Sequence, residues 1–244
     1  MIKTETTDLS DPTGEHRRFV VHAGTHKTGS KSIQAFLDEF RVKLLEHGVD
    51  FYSGLYSSRN HVELHAAAMR VDRPSPFKIR TGFVPDDAFR LRVQARIHDF
   101  VTASSCSLCA FSAEGISYLR HPDEMDRLRA LFPPGDIRIV IYLRNREQFL
   151  KSYSAEMEKH RLASPVDRDS FAYLGADSWL LDYSERVERF RTAFDVANVT
   201  IIDYDAEVRR WGNVIPSFLR VLGVEACFSS RDWSRFFLNR RAKD

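Results

Sequence analysis

A glycine-containing stretch near the start of the chain combines hydroxyl and basic side chains at a spacing that suits an anion. Its sequence is His22-Ala23-Gly24-Thr25-His26-Lys27-Thr28-Gly29-Ser30-Lys31-Ser32. Glycine allows the backbone to approach a ligand closely, and successive N–H groups at a helix start attract phosphate-like groups. Lys27 adds a positive charge, while Ser30 and Ser32 add hydroxyl donors. We therefore predict that this stretch is an anion-binding loop.

The same stretch nearly matches the phosphate loop of ATP and GTP enzymes, G-x-x-x-x-G-K-[ST]. Gly24 and Gly29 have the required spacing, but Ser30 stands where the pattern needs lysine, and Lys31 comes one residue late. In so tight a turn, a shift of one residue points a side chain elsewhere. A small-molecule kinase stays open as an alternative, with Asp203 at a strand end as its candidate Mg²⁺ ligand.

A second pair of residues could hold another anion. Arg144 directly follows the apolar run 137–143, and Ser152 comes eight residues later. A guanidinium is always charged and presents a fork of donors that matches phosphate. In a helix that begins near Asn145, Ser152 lies about 10 Å along the axis. An anion bound by both side chains would therefore rest against the side of that helix.

Four apolar runs predict the buried strands that must position these residues. They cover residues 18–23, 107–113, 137–143 and 199–203. Each run is followed by a segment with helical spacing of its apolar residues. Continuous apolar strands that alternate with helices are typical of a parallel sheet covered on both faces. We therefore predict an α/β fold of three layers, α/β/α, with a central parallel sheet.

The helical patterns that follow the strands have recognisable ends. A helix is predicted from Ser30 to a stop at Gly48, and another from about residue 213 to Gly223, with Pro216 in its first turn. Further helices are predicted at 60–70, 86–102, after Asn145 and at 180–194.

Composition limits the class of protein. The chain has 244 residues, is 43% hydrophobic and 29% charged, and carries a formal charge of +2, so nothing demands nucleic acid. We expect a flexible lead-in at 1–16 and one domain at 17–244. No apolar run approaches the roughly 20 residues of a membrane span, and no N-terminal apolar core suggests secretion. Cys106 and Cys109 belong to a predicted buried strand rather than a metal site, and we expect a cytoplasmic protein.

The loop resembles the 5'-phosphosulfate loop of sulfotransferases that use 3'-phosphoadenosine-5'-phosphosulfate (PAPS). The resemblance lies in H-x-G-x-H-K-T-G-[ST]-x-S-I-Q at residues 22–34 and is strongest to the bacterial, carbohydrate-type branch. Arg144 and Ser152 resemble the family's 3'-phosphate motif. Trp179, Asp182-Tyr183, 199–205 and Phe218-Leu219-x-x-Leu222-Gly223 resemble its C-terminal half. The likeness covers residues 18–225 approximately and implies the P-loop-like sulfotransferase fold.

The resemblance also implies roles for the loop. The phosphosulfate would be bound by Lys27, Thr28, Gly29, Ser30, Lys31 and Ser32. Lys27 would contact the bridging oxygen of the leaving phosphate, whereas the family usually has threonine at the position of Lys31. Arg144 and Ser152 would hold the 3'-phosphate, the product would be adenosine 3',5'-bisphosphate (PAP), and no metal is needed. A third anchor for the 3'-phosphate could come from Arg231, Arg240 or Arg241.

Sulfuryl transfer needs an aligned acceptor, a neutralised leaving phosphate and usually a base. His61 and His65 stand four residues apart on one face of a short predicted helix, in the segment where the family carries a His or Glu base. Glu114 ends a predicted strand at the sheet edge where open α/β proteins bind ligands. His61 is the first candidate, Glu114 the second, and His65 and His22 follow. His26 is expected to shape the loop.

The resemblance implies that the acceptor is a hydroxyl or amine of a small molecule or glycan, and it favours a carbohydrate or glycolipid. Residues 55–86 are expected to line its pocket, where Tyr52, Tyr56, Phe77 and Phe83 would suit a sugar face or a lipid. An inactive nucleotide-binding protein is a further alternative to an enzyme.

Overall fold

A five-stranded sheet forms the centre of the fold. The structure is a computed structural model that describes residues 17–164 and 166–236, so the predicted lead-in at 1–16 and the candidate anchors Arg240 and Arg241 lie outside the described residues. All neighbouring strands are parallel, in the order β2-β3-β1-β4-β5. The strands are β1 Arg18–His22, β2 Val49–Phe51, β3 Leu108–Ser112, β4 Asp136–Leu143 and β5 Val199–Asp203. The predicted parallel sheet is confirmed.

Helices connect every strand to the next. They are α1 Ser30–Glu39, α2 Arg41–Glu46, α3 Val62–Ala68, α4 Pro76–Thr81, α5 Asp87–Ala103, α6 Pro122–Ala130, α7 Arg146–Lys159, α8 Tyr183–Phe194, α9 Tyr204–Trp211, α10 Ile215–Leu222 and α11 Ser230–Trp233. Short 3₁₀ turns lie at Glu114–Tyr118, Trp179–Leu181, Val196–Asn198 and Glu225–Cys227. Within the described ranges, no helix is both long and apolar enough to cross a membrane.

One predicted helix and one short strand differ from what the sequence indicates. The single helix predicted from Ser30 to Gly48 breaks at Phe40, whose backbone leaves helical geometry between α1 and α2. The Phe40 ring packs against Phe36 and Phe228, with the centroid distance to Phe36 at 4.7 Å. Strand β2 has three residues, too few for a recognisable pattern, and was not predicted. The predicted Pro216 position in the first turn of α10 is confirmed.

Burial on both faces explains the continuous apolar character of the strands. Successive residues of a strand point to opposite faces. In β1, Phe19 and Val21 belong to one apolar cluster, and Val20 belongs to the other. Helices α3, α5, α6, α7 and α8 cover the first face, and α1 and α10 cover the second. Cys109 is buried in β3, and Cys106 is buried just before it.

All five strands are parallel, so their carboxyl ends lie along one edge of the sheet. The loop 23–29 follows β1, Glu114 follows β3, and Arg144 follows β4. In the register of the sheet, His22 pairs with Ser112 on one side and Val140 on the other. The topology therefore brings the predicted loop, Glu114 and Arg144 to one edge.

Candidate functional site

The loop between β1 and α1 is fastened to the ends of β3 and β4. Gly24 has a φ of 89°, and a Cβ added there would lie 3.2 Å from Glu114 Cα. Thr25 donates twice to the Tyr142 carbonyl, from its backbone N–H at 3.1 Å and its hydroxyl at 3.0 Å. Glycine is needed at position 24 because the loop has a positive φ and lies directly against the end of β3.

Helix α1 begins in a way that suits an anion. Gly29 is its N-cap residue, with a φ of 81°, and in the described chain no side chain caps the helix and no acidic residue lies in its first turn. The first N–H groups of a helix need partners from outside it, and the helix dipole favours a negative one. Ser30 and Ser32 are buried in this first turn, whereas Lys31 is exposed.

The Thr28 hydroxyl serves the loop itself. It donates to the Thr25 carbonyl at 2.5 Å, and the Ser30 hydroxyl lies 3.4 Å from the same oxygen. Thr28 is fully buried. Of the predicted loop ligands, Thr28 therefore stabilises the turn, while Gly29, Ser30 and Ser32 lie at the helix start.

Lys27 and Arg144 bring the two predicted anion sites together. The Lys27 backbone has a φ of 63°, and its carbonyl accepts from Arg144 Nη1 at 3.3 Å. The same Nη1 donates to Ser152 Oγ at 3.2 Å. Two motifs that are far apart in sequence therefore share one guanidinium, and Arg144 links the loop to the side of α7.

Both cations have carboxylate neighbours. Lys27 Nζ lies 2.7 Å from Glu156 Oε2, and each of these side chains is about a quarter exposed. Arg144 Nε lies 3.8 Å from Asp205 Oδ1, and its guanidinium lies 5.1 Å from the centre of the Tyr204 ring. Acids thus hold these side chains beside the strand ends.

Two cavities flank this group of residues. The larger, of about 800 Å³, is within the size range of small-molecule sites. It is lined by Leu143, Arg144, Asn145, Gln148, Tyr183, Ile201, Asp203, Asp205, Val208 and Arg209. Asp203, the Mg²⁺ ligand of the kinase alternative, accepts from the Ala206 N–H and caps α9.

The smaller cavity has a volume of about 80 Å³. Its lining includes His26, Asn60, His65, Phe77, Glu114, Tyr118, Glu156 and His160. Glu156 belongs to this lining and also contacts Lys27. Arg144 thus lines the larger cavity, and Glu156, the partner of Lys27, lines the smaller one.

His22, His61 and His65 form a set that we call the buried histidines. Burial lowers the pKa of each to about 3, so all three are neutral at ordinary pH. His61 Nδ1 accepts from the Ser112 N–H at 3.1 Å, and His22 Nδ1 lies 2.8 Å from Ser112 Oγ. In the described structure, neither of these two rings lines either cavity. A base role for His61 or His22 stays a prediction that this placement disfavours.

Glu114 is the predicted base candidate that the structure places beside both the loop and the smaller cavity. It begins the 3₁₀ turn directly after β3. His65 lines the same cavity but is 4% exposed, and its ring occupies the space that a side chain at position 115 would need. The His26 ring packs against the Tyr118 ring with their centres 4.4 Å apart and their planes tilted by 35°. Burial lowers the pKa of His26, while Glu114 and Glu156 oppose that shift. The packed ring fits the expectation that His26 shapes the loop.

Arg231, a candidate third anchor, is exposed on α11. Its neighbours Asp232 and Arg235 pair with Lys43 of α2 and with Glu39, which lies at the end of α1 opposite to the loop. Because α1 has ten residues, this end lies about 15 Å from the loop. The placement disfavours Arg231 as a ligand for the same nucleotide. Across residues 17–164 and 166–236, no three His, Cys, Asp or Glu side chains are grouped to hold a metal ion.

Sequence reasoning did not single out Glu156 or Asp205. Glu156 follows Ser152 by four residues, which places both on one face of α7. Helical spacing from Ser152 was therefore a signal that could have found Glu156. Asp205 gave no comparable signal, because its contact with Arg144 depends on the pairing of β4 with β5.

The parallel sheet, the glycine loop after β1 and the helices on both faces define a sulfotransferase-like α/β fold. A crystal structure of a sulfotransferase from Alicyclobacillus acidocaldarius shares this fold, with a TM-score of 0.55 over 93% of this chain and 86% of that chain. The two sequences are 17% identical, so the likeness concerns the fold. No protein-family model matches the chain, and no curated protein matches it.

Proposed function

We propose that this protein is a sulfotransferase that moves a sulfuryl group from PAPS to a hydroxyl or amine. The observation that carries the proposal is the position of Arg144, which donates to both the Lys27 carbonyl and Ser152. PAPS carries its phosphosulfate and its 3'-phosphate on one ribose, and this geometry offers adjacent sites for both. The fold shared with a known sulfotransferase supports the same function.

The donor would occupy the strand edge. Its phosphosulfate would meet the first turn of α1 with the hydroxyls of Ser30 and Ser32, and its 3'-phosphate would meet Arg144 and Ser152. The larger cavity has room for the rest of the nucleotide. The Lys27 ammonium would leave its contact with Glu156 and contact the bridging oxygen of the donor instead.

The transfer is a substitution at sulfur. The acceptor oxygen or nitrogen forms a bond to sulfur, the bond from sulfur to the bridging phosphate oxygen breaks, and the electron pair leaves with that oxygen. The Lys27 ammonium neutralises the negative charge that develops there. A base removes the acceptor proton; of the sequence-predicted candidates, Glu114 and His65 line the smaller cavity.

The acceptor would approach through the smaller cavity. The predicted acceptor segment includes α4, and its Phe77 lines this cavity. Tyr56 and Phe83 pack against Phe77, with ring centres 5.5 and 6.0 Å away. Such a row of aromatic rings suits the apolar face of a sugar or a lipid chain, and we propose a carbohydrate or glycolipid acceptor on this basis.

Nucleotide binding tests the donor. PAP at 100 times its Kd should raise the free energy of unfolding by about 2.7 kcal/mol, which corresponds to about 5–10 °C in Tm for a chain of this size. The shift should appear without magnesium, and ATP should give little. A larger shift with ATP and magnesium would support a kinase instead.

Transfer of labelled sulfate from PAPS to fractions of a cell extract tests catalysis. Lys27→Ala should abolish labelling and weaken PAP binding only modestly, because Lys27 acts mainly on the leaving oxygen. The exposed Lys151, on α7, offers a matched control as Lys151→Ala. If wild-type protein binds PAP but labels no fraction, and Lys27→Ala leaves PAP affinity unchanged, the inactive-sensor alternative is favoured.

A further inference from the structure

Glu156 contacts Lys27, which is proposed to bind the donor, and also lines the cavity proposed for the acceptor. Its carboxylate contacts the Lys27 ammonium at 2.7 Å, and the same side chain lines the smaller cavity together with Glu114. It lies one helical turn after Ser152, so the helix that carries the proposed 3'-phosphate ligand also carries this acid. Neither the sequence nor the proposed donor contacts account for a carboxylate at this point.

The contact with Lys27 cannot persist unchanged when the donor binds. Lys27 must turn its ammonium towards the phosphosulfate. Without the ammonium between them, the negative charges of the phosphosulfate and of Glu156 would repel each other. The donor therefore takes the cation from Glu156 and leaves a partly buried carboxylate at the acceptor cavity.

Loss of Lys27 would change the proton affinity of Glu156. Burial acts to raise the pKa of Glu156, but the hydrogen bond and charge of Lys27, together with the charges of His26 and Lys31, outweigh it and hold the pKa below its ordinary value. When Lys27 moves to the donor, the effect of burial remains and the nearby phosphosulfate adds to it. The pKa of Glu156 then rises, and the carboxylate becomes a stronger base.

We propose that Glu156 holds Lys27 in the donor-free protein and, once the donor has taken Lys27, accepts the proton of the acceptor in place of Glu114. This inference rests on the proposed function and deepens it. The acceptor O–H or N–H bond breaks with its proton moving to a Glu156 oxygen, as the new bond to sulfur forms. The bridging S–O bond breaks, and its electron pair leaves on the phosphate beside Lys27. Donor binding thus prepares the base as well as the leaving group.

Other charged and titratable groups surround Glu156 and must be considered in any pH dependence. They are His26 and Lys27 of the loop, Lys31 of α1, His65 of α3, Arg80 of α4, Glu114 and Tyr118 of the turn after β3, and Tyr153 and His160 from α7 and its end. A test must therefore compare variants that differ at Glu156 alone.

Proton uptake on PAP binding provides that comparison. Calorimetric titrations in buffers of different ionisation enthalpy, from pH 4.5 to 7.5, give the number of protons bound with each PAP. In wild-type protein, Glu156 should gain up to about one proton in the interval between its paired and released pKa. Glu156→Gln should lack this uptake. It should also bind PAP about two- to fivefold more tightly at pH 7.5, because Lys27 no longer has to leave a carboxylate.

Matched variants separate this effect from others. Glu158→Gln, at an exposed position on the same helix, should behave like wild type. Lys27→Gln should reduce the uptake, because Glu156 then has no ammonium to lose and only the charge of the bound nucleotide still raises its pKa. Thermal unfolding without ligand checks that each variant is folded.

The outcomes distinguish this inference from the proposed function. If wild-type protein does not bind PAP, the proposed function fails. If PAP binds to wild type, but Glu156→Gln shows the same proton uptake and affinity, the function stands and the role of Glu156 is wrong. Loss of the uptake in Glu114→Gln instead would assign the proton to Glu114 and equally overturn the inference.

Discussion

Replacement of Arg144 by alanine should weaken the binding of PAP far more than the binding of adenosine 5'-phosphate (AMP). The two nucleotides differ by the 3'-phosphate, which is the group that Arg144 is proposed to hold. Arg144 also donates to the Lys27 carbonyl, so its removal will disturb the loop to some degree. That disturbance should affect both nucleotides alike, and the ratio of the two affinities therefore isolates the 3'-phosphate contact.

The structure sets the expected magnitude. Hydrogen bonds to charged groups contribute about 1.5–3 kcal/mol, and each 1.4 kcal/mol is a factor of ten in Kd. The Arg144 side chain is about one-fifth exposed and must partly give up Asp205, which lies 3.8 Å away. Both features favour the lower half of the range. We expect the Kd of PAP to rise about 10- to 50-fold, while that of AMP changes less than about threefold.

Isothermal titration calorimetry measures both affinities. The salt concentration is kept fixed because phosphate contacts depend on ionic strength. Arg92→Ala, at an exposed position on α5, serves as the control and should leave both affinities unchanged. If Arg144→Ala weakens the binding of PAP and AMP equally, Arg144 supports the loop but does not contact the 3'-phosphate. The placement of the donor would then be wrong.

Two further predictions concern the stability of the fold. Gly24→Ala should lower the free energy of unfolding by more than about 1 kcal/mol, because a positive φ coincides with a Cβ position 3.2 Å from Glu114. Gly48 has a similar φ of 78°, but a Cβ added there would meet open space. Urea unfolding of Gly24→Ala and Gly48→Ala therefore separates the effect of crowding from that of backbone strain. Equal losses of stability in the two variants would contradict the crowding argument. Acid should also destabilise the protein. The pKa of each buried histidine is about 3 in the folded protein and 6.5 in the unfolded chain. The stability that these neutral rings contribute is therefore complete above pH 6.5 and is lost as the pH falls towards 3. Burial raises the pKa of Glu63 to about 7 and acts in the opposite direction between pH 7 and 4.5. Near pH 5, these four groups together take up about two protons on unfolding, which contributes a slope of about 2.7 kcal/mol per pH unit. The lowered pKa of His26 acts in the same direction, and a flat urea-unfolding profile there would refute this balance.

The sequence predicted most of the sheet because buried parallel strands carry long apolar runs. Strands β1, β3 and β5 each fall within a predicted run, and β4 begins one residue before its run. Strand β2 has three residues, and its place at the sheet edge depends on its pairing with β3 rather than on a pattern of its own. The break at Phe40 was likewise hidden, because the ring contact with Phe228 comes from the opposite end of the chain.

The site was predictable where it depends on strand ends and not where it depends on side-chain packing. The loop after β1 and Arg144 after β4 follow strands that were predicted to be parallel, and parallel strands have their carboxyl ends at one edge. The spacing of His61 and His65 correctly indicated a helix near α3, but spacing cannot show which face meets the core. In the structure, His61 directly precedes α3 and turns inward, where the Ser112 N–H donates to it.

Acidic residues at a site proposed for a polyanion have a physical explanation. Lys27 and Arg144 are both partly buried, and a cation without a partner in such a position destabilises a fold. Glu156 and Asp205 supply those partners while the donor is absent. A phosphosulfate and a 3'-phosphate carry more negative charge than two carboxylates, so the exchange of partners can favour the nucleotide. The same carboxylates can recover their cations as the product leaves, and they would thus support both the empty protein and its turnover.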